Sequence, residues 1–292
     1  MMKDRTWGGR LFDITNISLL ILFSALTVLP FLYMVLGSFA SSEEFAKRGM
    51  VLIPTKFSLE AYTYIFSTKT IVRSLFNTIF ITVVGTFINL LFTVLMAYPL
   101  ARKELLWRKP IMLMIIFSML FSGGMIPTFL VVKMLGLMNS LWSLLIPGAI
   151  SAFNLIILKN FFQQMPEGIE ESAKIDGSND VGILFKIVLP LSLPAIATFS
   201  LFYAVGHWNS FFSAILYIND TTKWPIQVIL RQVVIMAEGG IGDSSQVNDA
   251  FVIPPQSIKM AVITVSTLPI LIVYPFLQKH FAKGVLLGSV KG

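Results

Sequence analysis

Six apolar runs without a single Asp, Glu, Lys or Arg constrain this chain more than any other feature. They lie at about 17–39, 74–100, 111–132, 141–158, 188–217 and 260–276. A helix needs about 20 apolar residues to cross the hydrocarbon core of a bilayer. Strands of a membrane β-barrel would be about half as long. Apolar residues make up 55% of the chain and charged ones 13%, against roughly 25% charged in a soluble domain. The expected fold is therefore all-α: a polytopic membrane protein with six transmembrane helices. The first run is longer than the roughly 7–15 residues of a secretory leader, so it reads as a span and not as a cleaved segment. The absence of cysteine excludes disulfides and thiolate metal sites.

Charge placement orients these spans. Cytoplasmic loops collect Lys and Arg, and short loops follow the rule best. The loop 101–110 holds four basic residues in ten, Arg102, Lys103, Arg108 and Lys109. The connection 134–140 holds none. With both termini cytoplasmic, Lys3, Arg5 and Arg10 fall inside, as do Lys159, Lys174, Lys186, Lys279, Lys283 and Lys291. The net charge of +7 follows from this rule, and nucleic acid is not an expected partner. We read the chain as one membrane domain, 1–292, with its longest polar inner loop at 166–190. Two outer loops, 40–73 and 219–255, carry short helical patterns. Ser41 stands three residues before Glu44 and Ser58 precedes a second helix start. Residues 226–236 form a further helical stretch beyond the Trp224-Pro225 turn.

The inner loop 166–190 has a structure of its own. Glu167 to Ile175 forms a short amphipathic helix with Ile169 and Ala173 on one face. Asp176-Gly177 turns the chain, since glycine accepts backbone angles that other residues resist. Ser178 or Asn179 caps a second helix with Asp180 in its first turn. The second helix runs through Phe185 and Ile187 and returns to the membrane at Pro190. The expected product is a rigid helix–turn–helix knob, and rigidity suits a connector that must transmit displacement.

Glu171, Ala173, Asp176, Gly177, Ile187, Leu189 and Pro190 match the spacing of the cytoplasmic coupling loop of ABC importer permeases. That pattern runs Glu-Ala-Ala, two residues, Asp-Gly-Ala, then Ile-x-Leu-Pro; Ser172 and Ser178 here replace two of its three alanines. Further along, Met125-Ile126-Pro127-Thr128, Leu135 to Ser140, Asn77, Ala97-Tyr98 and Arg102 resemble maltose-type carbohydrate permeases. Phe202 to Asn209 and the ending Lys283-Gly284 to Gly292 resemble the smaller permease subunit of a subgroup importing complex oligosaccharides. Some members of it handle uronate oligosaccharides such as alginate or pectin fragments.

The resemblance implies a type I importer fold in the bacterial inner membrane, and a division of labour. The loop would fit a cleft on an ATPase subunit through Glu170, Glu171, Ala173, Asp176, Gly177, Ile187, Leu189 and Pro190. The C-terminal Val290, Lys291 and Gly292 would touch the ATPase dimer as well. Implied partners are a second, homologous permease, two ATPase subunits, an extracytoplasmic sugar-binding protein, and the oligosaccharide. ATP and Mg would sit on the ATPases. This chain has no phosphate-binding Gly-x-x-x-x-Gly-Lys-Ser/Thr loop, so it binds no cofactor in this reading and is not an enzyme.

Independently of the family, a polar residue inside a span is a functional candidate. His207, Trp208 and Asn209, with Phe212 following and Asn154 in the fourth run, offer the amides and aromatic faces that sugars bind. Interhelical hydrogen bonding is the alternative role for the same residues. An autonomous secondary carrier or channel is the rival function, yet proton-coupled carriers place acids within their spans and these spans contain none. A membrane enzyme would need catalytic groups at one depth, and His207 and His280 stand on different levels.

Overall fold

In a computed structural model the structure describes residues 7–237 and 256–289, with side chains for all of these except Glu167, Ala237, Tyr274 and 276–289. In chain order the helices are α1 (Trp7–Gly37), α2 (Ser42–Arg48), α3 (Glu60–Ser67) and α4 (Lys69–Ala101). They continue with α5 (Arg108–Leu120), α6 (Met125–Met134), α7 (Ala152–Gln163) and α8 (Glu167–Ile175). Next come α9 (Asp180–Leu191), which contains a π-helical turn at Leu184–Val188, and α10 (Leu193–Trp208). The last are α11 (Phe212–Tyr217), α12 (Ile226–Ala237) and α13 (Gln256–Ser289). Extended pairing among the described residues is a single bridge, Ala40 with Phe57.

Three helices are long and apolar enough to cross a membrane unbroken, α1, α4 and α13 over Gln256–Val273. Two further expected spans are bent. The run 111–132 is split between α5 and α6 at an angle of 114°. Gly124 there has φ +86°, which no residue of a right-handed helix adopts, and a side chain would resist it. The run 188–217 bends by 83° between α9 and α10. Pro194 lacks the N–H that would bond the Pro190 carbonyl one turn back, and its ring crowds that turn. The helix then stops at Trp208 and resumes at Phe212.

The run 141–158 departs furthest from expectation, because it is not a helix along its length. Leu141–Leu144 makes a 3₁₀ turn capped by Ser140, an irregular stretch follows through Pro147-Gly148, and α7 starts beyond the Ser151 cap. Unpaired backbone is tolerated at membrane depth only where protein satisfies it. The Asn89 side-chain amide, buried in α4, does so for Gly148, donating to its carbonyl at 2.5 Å.

The described residues fall into two compact units, drawn from Met1–Lys69 with Leu230–Thr267 and from Thr70–Ile229 with Leu268–Gly292. In the first, Phe45, Val51 and Ala40 pack with Met260, and a Cβ on Gly37 would run into the Met260 sulfur. Ser42 hydrogen-bonds Ser257 at 3.0 Å. The Phe39 ring stacks on Phe57 at 4.5 Å. The Ser41 cap accepts from Glu44 N–H, as its position suggested. The Glu44 carboxylate turns instead to Thr55, whose N–H and hydroxyl donate to it at 3.0 and 2.8 Å. Those bonds, the backbone one foremost, hold Glu44 below the usual carboxylate range.

In the second unit one apolar core joins Val94, Ala97 and Tyr98 of α4 to Leu155, Leu158 and Phe162 of α7. Ala173 of α8, Ile183, Leu184 and Val188 of α9, and Phe199 and Tyr203 of α10 belong to the same core. Burying a side chain such as Ile183 or Leu184 stabilises by about 1.5–3 kcal/mol, so α8 and α9 are fixed to the helices and do not hang free.

Candidate functional site

The segment 166–190 folds as the helix–turn–helix its sequence predicts. Helix α8 ends in a Schellman arrangement: Gly177 N–H donates to Lys174 O at 3.0 Å and Ser178 N–H to Ala173 O at 2.9 Å. Gly177 takes φ +81° to allow it. Of the two expected cap residues, Asn179 is the one used; its side chain accepts from Gly182 N–H at 2.7 Å. Asp180 then opens α9.

The predicted residues of this loop divide by where they point. Ala173 is buried, and Ile187 and Leu189 pack on the core. Glu170 is turned toward the fold, 2.9 Å from the Arg102 guanidinium. Glu171, Asp176, Gly177 and Pro190 are exposed. So are three apolar residues that the sequence reading did not single out: Ile175 (86% exposed), Val181 (64%) and Phe185 (48%). Exposed large apolar residues on an otherwise polar projection mark an interaction surface. Their signal in the sequence was the break in amphipathic spacing, with Ile175 off the buried face of α8.

His207, Trp208 and Asn209 are neighbours in sequence that diverge in space. His207 Nε2 lies 2.5 Å from Asn89 Oδ1. The Asn89 amide is committed to Gly148 O, so its oxygen faces the imidazole and accepts from Nε2–H. A Cβ on Gly85 would sit 2.5 Å from His207 Nε2, so the ring occupies space that only a glycine leaves. Trp208 is buried and lines an apolar cavity of about 250 Å³ with Ile79, Thr82, Val83, Leu201 and Pro269. Asn209 ends α10 and is exposed, as is Phe212. Asn154 is buried in the first turn of α7. Among these residues His207 makes an interhelical hydrogen bond, to Asn89, and packs on Gly85, neither of which the sequence reading picked out. Val290, Lys291 and Gly292 lie outside the described residues, as does the glycine-rich stretch 239–243.

A second polar cluster organises the residues that precede α12. Asn139 has φ +56° and accepts from Asp220 N–H through its side chain at 3.0 Å, while its own N–H donates to Tyr217 O at 2.7 Å. Asn77 Nδ2 donates to Thr222 O and Trp224 O at 2.9 and 3.2 Å. The Thr222 hydroxyl and N–H donate to the Asp220 carboxylate and hold it below its ordinary range. Residues 220–224 are therefore a fixed platform.

The sequence and fold have close relatives. The profile described as "Binding-protein-dependent transport system inner membrane component" matches residues 5–287. The polygalacturonan/rhamnogalacturonan transport system permease protein YtcP of Bacillus subtilis is 60% identical over 284 residues, 97% of this chain and 99% of its own. Protein LplC of the same organism is 58% identical over 287 residues, 98% of this chain and 97% of its own. One chain of the crystal structure of a bacterial ABC transporter involved in the import of the acidic polysaccharide alginate superposes with a TM-score of 0.87. It is 32% identical, over 96% of this chain and 100% of that one. With the profile spanning nearly its whole length, this chain belongs to the binding-protein-dependent inner-membrane components, the permease subunits of ABC importers.

Proposed function

We propose that this chain is one of two dissimilar permease subunits of an ATP-driven importer for uronate-containing oligosaccharides, and that it takes its power stroke through the loop 166–190. The observation that carries the coupling role is the rigid knob itself. Its limbs are fixed to the α4–α7–α10 core, its turn is set by Gly177, and it presents Ile175 and Val181 outward beside Glu171 and Asp176. In this reading the exposed side makes the ATPase contact. Ala173, Ile187 and Leu189 carry the displacement into the membrane helices. The hydrolysis of ATP, with its Mg, belongs to the two ATPase subunits. The tail Val290–Lys291–Gly292 is a second contact with them.

The chain has six spans with both termini cytoplasmic, the third and fifth bent and the fourth broken, and forms one permease domain over 1–292. The basic loop 101–110 supports that orientation. A solute-binding protein delivers the sugar at the opposite face, where the 220–224 platform forms the start of the second outer loop. His207, Trp208, Asn209, Phe212 and Asn154 border the path. Exposed Asn209 and Phe212 are the direct sugar contacts among them, and His207 is a helix-packing residue of the wall.

The substrate class rests on the relatives, since polygalacturonan and alginate are both polymers of uronic acids and the relatives are similar to this chain over nearly full length. Two experiments test the reading. Tagged protein should retain an ATPase and a second permease in detergent. Acidic oligogalacturonides with the binding protein should then stimulate ATP hydrolysis by the reconstituted complex more than neutral maltooligosaccharides do. Recovery of this chain alone from cells that depend on it would favour an autonomous carrier.

A further inference from the structure

The knob is joined covalently to α7 and α10 and shares an apolar core with α4, and one side chain adds a polar link to α4. Arg102 follows the last residue of α4 and reaches both limbs. Its Nη2 lies 2.9 Å from Glu170 Oε2 on α8 and 3.4 Å from Asp180 Oδ1 at the start of α9. The guanidinium stacks over the Tyr98 ring, 4.6 Å from its centre, and donates to the Tyr98 hydroxyl. Its side chain is 17% exposed, that of Glu170 27% and that of Asp180 69%, so the grip on α8 is the stronger and that on α9 the weaker. A planar, always-charged fork can span two carboxylates and an aromatic face together, which a lysine ammonium cannot.

A further polar link on this side, Lys174 to Glu104, is 4.0 Å long between well-exposed groups. Exposed pairs of that kind contribute about 0–1 kcal/mol, so it does not replace Arg102. Helix α4 also carries Asn89, which holds His207 of α10 and the Gly148 carbonyl of the broken fourth run. Movement of the knob therefore reaches this bonded cluster along α4 through the shared apolar core and through the grip of Arg102 on both limbs.

We infer that Arg102 is a positioning residue for energy coupling, a charge clamp that makes α8, α9 and α4 move as one piece. The inference rests on the coupling role proposed for the loop. Loss of the clamp should leave ATP hydrolysis intact and waste it.

The test uses the whole transporter, with both permeases, the ATPases and the binding protein, reconstituted in vesicles with an oligogalacturonide as probe. The readout is sugar moved per ATP hydrolysed, alongside the amount of assembled complex. Arg102→Gln should lower that ratio about tenfold, within the range of coupling free energies between sites, at an unchanged amount of complex. Arg102→Lys should recover only part of it. In a Glu170→Gln, Asp180→Asn background, Arg102→Gln should cost nothing further, because the groups it grips are already neutral.

An unchanged ratio in Arg102→Gln would overturn the inference. So would a further full loss in the double-neutral background, or less complex with a normal ratio in what remains. If the wild-type complex itself hydrolyses ATP without moving sugar, the coupling reading falls first and this inference falls with it. A competent wild type beside a competent Arg102→Gln sinks the clamp alone.

Discussion

Asn89 Oδ1 and His207 Nε2 stand 2.5 Å apart across α4 and α10. The same asparagine donates to the Gly148 carbonyl. One buried amide thus ties two helices to the irregular backbone of the fourth run.

Two substitutions separate hydrogen bonding from fit at this point. Interhelical hydrogen bonds in membranes contribute about 0.6 kcal/mol on average, whereas overpacking costs about 1–3 kcal/mol. Gly85→Ala, which drives a methyl into the imidazole, should therefore lower the melting point in detergent more than Asn89→Ala does. His207→Ala in the Gly85→Ala background should restore most of the loss. Equal effects of the two single changes would mean that the ring moves aside freely.

At Gly177 the backbone, not space, limits substitution, since a Cβ there meets nothing within 4 Å. An L residue in the left-handed region costs about 1–2 kcal/mol, and Asn is the most tolerant non-glycine. Uptake should fall in the order Asn, Ala, Val. Gly177→Pro, which also removes the bond to Lys174 O, should abolish uptake while membrane insertion stays normal. Uptake by the proline variant at the wild-type rate would sink the coupling assignment.

Much of this knob was legible in the sequence. The helix at α8, the turn at Gly177 and the capping of α9 are local, and Gly and Asx residues report local backbone geometry directly. The six runs read as spans because length and apolarity dominate the count, yet Gly123-Gly124 and Pro147-Gly148 interrupt helices that hydropathy treats as continuous. Asn89 could be found as a polar residue in an apolar run and Arg102 as part of the basic loop, but not their partners on other helices. No spacing rule within one helix states which neighbour it faces. The same gap hid the engagement of the His207 ring with Asn89 and Gly85.

Acid should loosen the segment 42–55 through Glu44. Its native carboxyl is held below the ordinary value, which is about 4.3 for an unperturbed Glu, by hydrogen bonds from Thr55. A depressed carboxylate contributes stability that is present above the unfolded value and lost as pH falls through the native one. Proteolysis of the segment around Thr55 should accelerate below about pH 4. Glu44→Gln should flatten that dependence, with the segment already more susceptible at neutral pH. An unchanged pH profile in Glu44→Gln would remove Glu44 as the latch.

Asn139 has two roles that substitution can split. Asn139→Gly keeps the positive φ and loses the side-chain bond to Asp220, while Asn139→Ala loses both. If residues 220–224 serve as the platform for the binding protein, both variants should weaken stimulation of ATP hydrolysis by the loaded binding protein. Alanine should have the larger effect, by about 1–2 kcal/mol of additional backbone strain. Basal hydrolysis should be unchanged. Equal stimulation in both variants and the wild type would place the docking surface elsewhere.

The most direct measurement is a disulfide cross-link, because the chain contains no cysteine of its own. Asp176→Cys at the exposed turn would be paired with a single cysteine in the cleft of the ATPase subunit, in the assembled transporter, with Thr68→Cys beyond α3 as the control. The account predicts rapid cross-linking at residue 176 and none at residue 68. A transporter that imports its sugar yet never cross-links at residue 176, whatever position in the cleft is tried, would contradict it.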